Sequence, residues 1–163
     1  MTLADLNKLD RPAFVNAVGW VFEDSPWVAE RAWVRRPFRN LDHLHEAMVK
    51  EAASATRSEQ LALLRAHPDL GARLDMSAAS QREQLSAGLS NLTEAEIRKF
   101  RELNAAYREK FGIPFLYAVK GSTKRDILNA LESRRLRPVY LEHAEALTQV
   151  YRIARFRLEE TIS

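Results

Sequence analysis

The 163-residue sequence predicts an all-α fold: a single-domain bundle of about eight helices with one extended, non-helical segment near 112–121. Three observations carry that expectation. Apolar residues recur at helical spacing along most of the chain, and nothing alternates with period two for long enough to make a sheet. Helix-start chemistry recurs, as a capping Thr or Ser followed by an acid three residues on, or as a proline placed in a first turn. The stretch GIPFLYAVKG, Gly112 to Gly121, is apolar without helical period and reads as extended chain packed between helices.

The elements follow in order. Thr2 with Asp5 starts a short helix. Asp10-Arg11-Pro12 opens one expected to reach about Glu23. Ser25 as N-cap and Pro26 as first helical residue open another through Trp33. Pro37 ends that stretch, and Asn40 caps a helix to about Ala55. A further helix covers Arg57 to about Ala66. His67-Pro68-Asp69-Leu70-Gly71 has turn chemistry, because a residue before proline is steered out of the α region and Gly71 takes positive φ readily. Ser77 caps a helix to about Leu89. Thr93 with Glu96 forms a capping box for a long helix that Lys110, Gly112 and Pro114 end. Ser122 or Thr123 restarts a helix to about Leu136, and a last one runs from about Pro138 to Glu160.

The length suits one domain, 1–163, with a core of its own. No run of eighteen apolar residues is present, so no membrane span is expected. Thr2, Asp5 and Lys8 are unlike a secretory leader, and Thr161-Ile162-Ser163 is not a peroxisomal address. The chain has no cysteine, which excludes disulfides, thiolate nucleophiles and Cys-type metal sites and fits a reducing compartment. The formal charge is +3, and basic residues alternate with acids, as in Arg82-Glu83 and Arg108-Glu109-Lys110. A nucleic-acid module would concentrate them in a stripe with stacking aromatics, so no nucleic-acid partner is expected.

A few residues depart from what a plain core requires. On the last helix, steps of about 100° put Val139, Ala146, Leu147, Val150, Ile153, Ala154 and Leu158 on one face, with Arg157 among them. Such an arginine either snorkels at the helix end or faces a cleft that holds an anion. His143, on the same face, reads as a structural histidine. On the helix from Ser77, one side carries Ser80, Glu83, Gln84, Ala87 and Gly88, with Leu85 and Leu89 as the apolar side. The polar side is either a solvated face or a shallow surface that a ligand can approach. His67 sits just past a helix C-terminus, where the macrodipole favours imidazolium, with its backbone stiffened by Pro68. It is a capping histidine or a positioned general acid. Asn104 lies on an apolar stripe and needs a buried partner. His43 and His45 diverge on their helix and make a poor metal pair, and Trp20, Trp27 and Trp33 read as core. No nucleophile elbow, P-loop, zincin motif or dinucleotide fingerprint is present.

Five separated segments share a wider pattern: FEDSPWVAERAWVRRPF (22–38), HPDLGAR (67–73), SAASQREQLSAGL (77–89), LNAAYREKFGIPFLYAVKG (103–121) and VYRIARFRLEE (150–160). Together they resemble the OHCU decarboxylases, which act on 2-oxo-4-hydroxy-4-carboxy-5-ureidoimidazoline in urate breakdown and release (S)-allantoin. The resemblance implies an all-α lyase, usually a homodimer, that uses no metal or other cofactor, with a small molecule as its partner. It assigns catalytic roles to His67, Glu83 and Arg157, and substrate contacts to Pro68, Ser80, Gln84 and the main chain at Phe115, Leu116, Tyr117, Ala118 and Val119. A bacterial-type cytoplasmic enzyme is expected. The rival readings are a related cofactor-free decarboxylase or ring hydrolase on the same scaffold, and a non-enzymatic helical interaction module with 112–121 as its groove.

Overall fold

Local chemistry sets the helix starts in the computed structural model, which describes residues 1–71 and 77–163. Among these residues there are nine α-helices, two single 3-10 turns and no strand. They are α1 (Leu3–Leu6), α2 (Arg11–Val18), α3 (Trp27–Ala32), α4 (Leu41–Ala53), α5 (Arg57–Arg65), α6 (Ala78–Ser86), α7 (Glu94–Phe111), α8 (Lys124–Arg134) and α9 (Val139–Thr161). Reciprocal capping boxes of Thr with an acid three residues on start α1, α5, α7 and α8, each satisfying two otherwise orphaned backbone donors. Asp10, Asn40 and Ser77 cap α2, α4 and α6 through their side-chain oxygens. Gly112, at φ 70°, ends α7 in the left-handed conformation that glycine adopts without a Cβ penalty.

Three boundaries differ from the expectation, the simplest being the end of α6, at Ser86 rather than near Leu89. The second helix stops at Val18 rather than near Glu23: Gly19–Val21 tightens into a 3-10 turn and Phe22 is extended. Ser25 does not cap α3. Its hydroxyl donates back to the Glu23 carbonyl at 2.8 Å, and Pro26 occupies the cap position with no side-chain bond. Asp24 stands in the turn at φ 43°, so the chain between α2 and α3 is a tight reversal rather than a continuous pair of helices.

The described residues form two compact units. The first comprises Met1–Ala66 and Tyr151–Ser163, the second His67–Val150. In the first, Leu6, Phe14, Phe22, Val28, Leu44, Met48, Leu63 and Leu158 are fully buried, and the Phe14 and Phe38 rings stack at 5.9 Å. Trp20, Trp27 and Trp33 are only half-buried, contrary to the core reading. Each carries an arginine over its ring, and Trp33 holds two, Arg36 at 4.0 Å and Arg11 at 4.9 Å. Their indoles close the rim of the core with one face on a cation. In the second unit the core is aromatic: Tyr107 lies 4.3 Å from Phe111 and 5.4 Å, edge-on, from Phe115, and Ile127 and Leu131 are fully buried as well. No helix among the described residues is long and apolar enough to cross a membrane.

Candidate active site

The segment after α5 presents the imidazole. His67 is buried, at 5% exposure, and the turn that follows it is tied down at three successive residues. Asp69 pairs with Arg108 of α7 at 2.9 Å, the Leu70 carbonyl accepts from Asn104 Nδ2 at 2.8 Å, and the Gly71 N–H donates to Gln84 Oε1 at 3.0 Å. Gly71 has φ 75°, and an added Cβ would meet Leu92 Cδ1 at 3.3 Å and the Phe100 ring at 3.5 Å. Both the sign of φ and the close packing therefore call for glycine. Ala72 and Arg73 of the HPDLGAR motif lie outside the described residues.

Helix α6 meets the expectation only in part: Leu89, just past its end, is buried as an apolar side requires, whereas Leu85 is not. Ala79, Ser80, Gln84 and Ala87 are buried, Glu83 is intermediate, and Leu85 projects outward at 61% exposure, so Leu85 is no core anchor. Gln84 spends its oxygen on the Gly71 amide, and that bond sets which side of a nine-residue helix faces inward. Ser80, Glu83 and Gln84 thus share the second unit with His67 and Pro68.

The segment Gly112 to Gly121 has no regular structure before a turn at Lys120-Gly121, as the sequence indicates. Phe115, Leu116, Ala118 and Val119 are buried and Tyr117 is half-buried. Polar side chains from α8 and α9 hold its backbone. Arg134 Nη1 donates to the Leu116 carbonyl at 2.6 Å, and Gln149 Oε1 accepts from the Ala118 N–H at 2.8 Å. Arg134 is itself paired through Nε with Glu142 at 2.8 Å, and the Tyr107 hydroxyl donates to the same carboxylate oxygen at 2.6 Å. Burial raises the Tyr107 hydroxyl well above the ordinary phenol range, with the neighbouring carboxylate adding to the effect.

In the first unit, Arg157 is among the most buried side chains of the described residues, at 1% exposure, so it does not snorkel. Its Nη1 pairs with Glu23 Oε2 at 2.8 Å and reaches the Trp20 carbonyl at 3.3 Å, with the guanidinium 5.7 Å from the Trp20 ring centre. Arg152 is exposed and Arg155 sits at the surface with Asp42 and Glu159. His143 bonds the Phe111 carbonyl at 2.8 Å, as a structural histidine does. His43 and His45 go to separate main-chain partners, at Arg39 and Tyr151.

Sequence reasoning missed Glu23, Glu142, Arg134 and Gln149, all buried and polar. For two of them a signal exists: Glu142 and Gln149 fall on the same stripe of α9 as Ala146 and Val150. Glu23 and Arg134 carry no local mark.

The described residues form an all-α fold in which an imidazole in a pinned turn and amides bonded to irregular backbone mark the second unit, and a buried guanidinium–carboxylate pair marks the first. Comparison makes the assignment particular. The OHCU decarboxylase family model matches residues 7–159, and the chain belongs to that family of carboxy-lyases. A 2-oxo-4-hydroxy-4-carboxy-5-ureidoimidazoline decarboxylase of Halalkalicoccus jeotgali is 48% identical over 98% of this chain and 91% of that protein. Its counterpart in Haloferax volcanii is 46% identical over the whole of this chain and 97% of its own. Among solved structures, an (S)-allantoin synthase superposes over all of this chain with a TM-score of 0.81 at 31% identity, and this chain spans 54% of that one.

Proposed function

We propose that this chain decarboxylates 2-oxo-4-hydroxy-4-carboxy-5-ureidoimidazoline to (S)-allantoin without a metal or organic cofactor. The observation that carries the reading is the buried His67 at the head of a turn pinned to α6 and α7, in a chain whose full-length relatives bear that activity's name.

The substrate's own structure supports cofactor-free chemistry. When the bond from C4 to its carboxylate breaks, the electron pair moves into the adjacent ring C=N, leaving a C4=C5 double bond and a protonated ring nitrogen. A proton then adds to one face of C5 as the C4 hydroxyl becomes a carbonyl. One CO₂ leaves and one proton is consumed overall. The protein has to orient the carboxylate, stabilise charge as it shifts, and deliver the proton to one face. In this reading His67 assists at the hydroxyl-bearing centre and supplies or relays the proton, beside Pro68. Glu83 holds the ureido or ring N–H groups, with Ser80 and Gln84 alongside. Arg157 binds the substrate carboxylate. The main chain of Phe115 to Val119 meets the ring edges. A cytoplasmic homodimer completes the reading, checked by sedimentation at micromolar concentration.

Circular dichroism of freshly generated substrate tests the activity, because the enzyme speeds the appearance of a single allantoin enantiomer. Changing His67→Ala is expected to leave the fold intact and lower kcat by a factor on the order of 10², as for loss of a general acid. Wild-type rates of enantiopure product from that variant remove His67 from the chemistry.

A further inference from the structure

Two main-chain groups of the 115–119 segment are already spoken for, and the pattern decides what the others can do. The Leu116 carbonyl goes to Arg134 of α8 and the Ala118 N–H to Gln149 of α9. In extended chain, residues two apart turn their N–H and C=O groups to the same side, and the residue between them turns its own to the opposite side. Side chains here follow the same period: the rings of Phe115 and Tyr117, two apart, stack at 6.2 Å with their planes 20° apart. The Leu116 carbonyl and the Ala118 N–H face α8 and α9, and the alternation of extended chain then directs the N–H and C=O of Tyr117 to the other side.

Holding the segment this way is expensive. Arg134 is 7% exposed and Glu142 is completely buried. A buried ion pair roughly breaks even against apolar residues of similar volume, so stability by itself does not account for one at this place. What the guanidinium adds is direction. Its Nε meets Glu142 Oε1 at 2.8 Å, its Nη1 meets the Leu116 carbonyl at 2.6 Å, and its plane covers the Phe115 ring at 4.5 Å. A rigid fork does all three at once, which the single-point ammonium of lysine cannot. Glu142 is fixed in turn by the Tyr107 hydroxyl at 2.6 Å and by Arg137 Nη1 at 3.1 Å, and Gln149 by Glu145 at 2.9 Å.

We infer that Arg134 and Gln149 are positioning residues for substrate recognition. By consuming the Leu116 carbonyl and the Ala118 N–H, they orient Tyr117 so that its main-chain N–H and C=O form the donor–acceptor pair offered to a urea-like edge of the ligand. The inference rests on the proposed reading that 115–119 contacts substrate; neither side chain touches the substrate itself.

The test replaces the pair together, Arg134→Met with Glu142→Gln, so that no lone charge is left buried and Tyr107 keeps an acceptor. The fork's hold on Leu116 is lost. Steady-state decarboxylation is expected to show KM raised roughly tenfold while kcat stays within about threefold, the signature of a displaced binding edge with intact proton chemistry. Gln149→Met, measured in parallel, removes the Ala118 acceptor and is expected to raise KM in the same sense. It decides the matter if the double variant fails to fold. Native KM in folded variants, or a fall in kcat with KM unchanged, overturns the inference. A wild-type protein that does not turn over the substrate is a separate failure, of the functional reading, and removes the inference with it.

Discussion

Removing the Glu23 carboxylate while keeping its shape, Glu23→Gln, isolates the energetics of a deeply buried ion pair. The Arg157 and Glu23 side chains are 2% and 5% exposed and 2.8 Å apart. Losing one member leaves a guanidinium in low dielectric without its carboxylate, beside a neutral carbonyl at 3.3 Å and a ring face at 5.7 Å. Breaking a buried pair by deleting one partner costs about 3–5 kcal/mol, mostly as uncompensated charge. Gln retains a neutral acceptor, so the lower end, about 3 kcal/mol, is the expected loss. For a chain of this size that corresponds to a melting midpoint lower by roughly 6–12 °C. Replacing both, Glu23→Leu with Arg157→Met, removes both desolvation costs and is expected to recover most of the loss, to within ~1 kcal/mol of wild type. Thermal unfolding followed at 222 nm measures both. A Glu23→Gln protein melting within about 2 °C of wild type refutes the premise that this pair is dry and mutually dependent.

The two left-handed glycines that bracket α6 separate strain from packing. Gly88→Ala, at φ 79° with nothing within 4 Å of the new Cβ, is expected to cost about 1 kcal/mol of unfolding free energy from conformation alone. Gly71→Ala adds contact with Leu92 and Phe100 and is expected to cost about 2 kcal/mol and to lower kcat, because it shifts the turn that carries His67; equal melting points for the two refute the distinction. At the surface, the Arg31 guanidinium bonded to Glu59 holds that carboxyl down at about 2 against an ordinary 4.5, helped by the Thr56 N–H. A lowered carboxyl contributes stability fully above its unfolded value and loses it as pH falls through its folded value, so this contribution fades between about 4.5 and about 2. Arg31→Ala is expected to move the Glu59 titration, followed by NMR, back toward 4.5, and an unmoved midpoint refutes the assignment of cause.

Helix starts were legible because their information is local. A Thr and an acid three residues apart satisfy one another wherever the chain goes next, and Thr2, Thr93 and Thr123 all cap as their neighbours require. The failures needed distant knowledge. Ser25-Pro26 has the composition of a helix start, yet the hydroxyl of Ser25 turns back to Glu23, whose carboxylate belongs to Arg157 at the far end of the chain. Leu85 outweighs Gln84 on any hydrophobicity scale, yet the amide faces inward because Gly71 needs its oxygen. Arg157 was visible as a charge on an apolar stripe, whereas the identity of its partner was not, since nothing near Glu23 in sequence marks it.

One regularity links the second unit's misplaced polar residues. Gln84 on α6, Asn104 on α7 and Gln149 on α9 are each buried, and each gives its amide to the main chain of an irregular segment: the Gly71 N–H, the Leu70 carbonyl and the Ala118 N–H. Buried backbone outside helices has no built-in partner and pays several kcal/mol per group if left unmatched. A carboxamide offers both a donor and an acceptor without bringing a charge that must itself be neutralised. The two segments so held are those that carry His67 and the 115–119 main chain, the non-helical backbone assigned to substrate in the proposed function. An amide on an apolar helical stripe, followed across the chain to a proline- or glycine-marked irregular segment, therefore points to backbone kept out of a helix for use. In this chain Asn104, on its apolar stripe, is the one of the three that the sequence marks in this way; Gln84 and Gln149 emerge only from the structure.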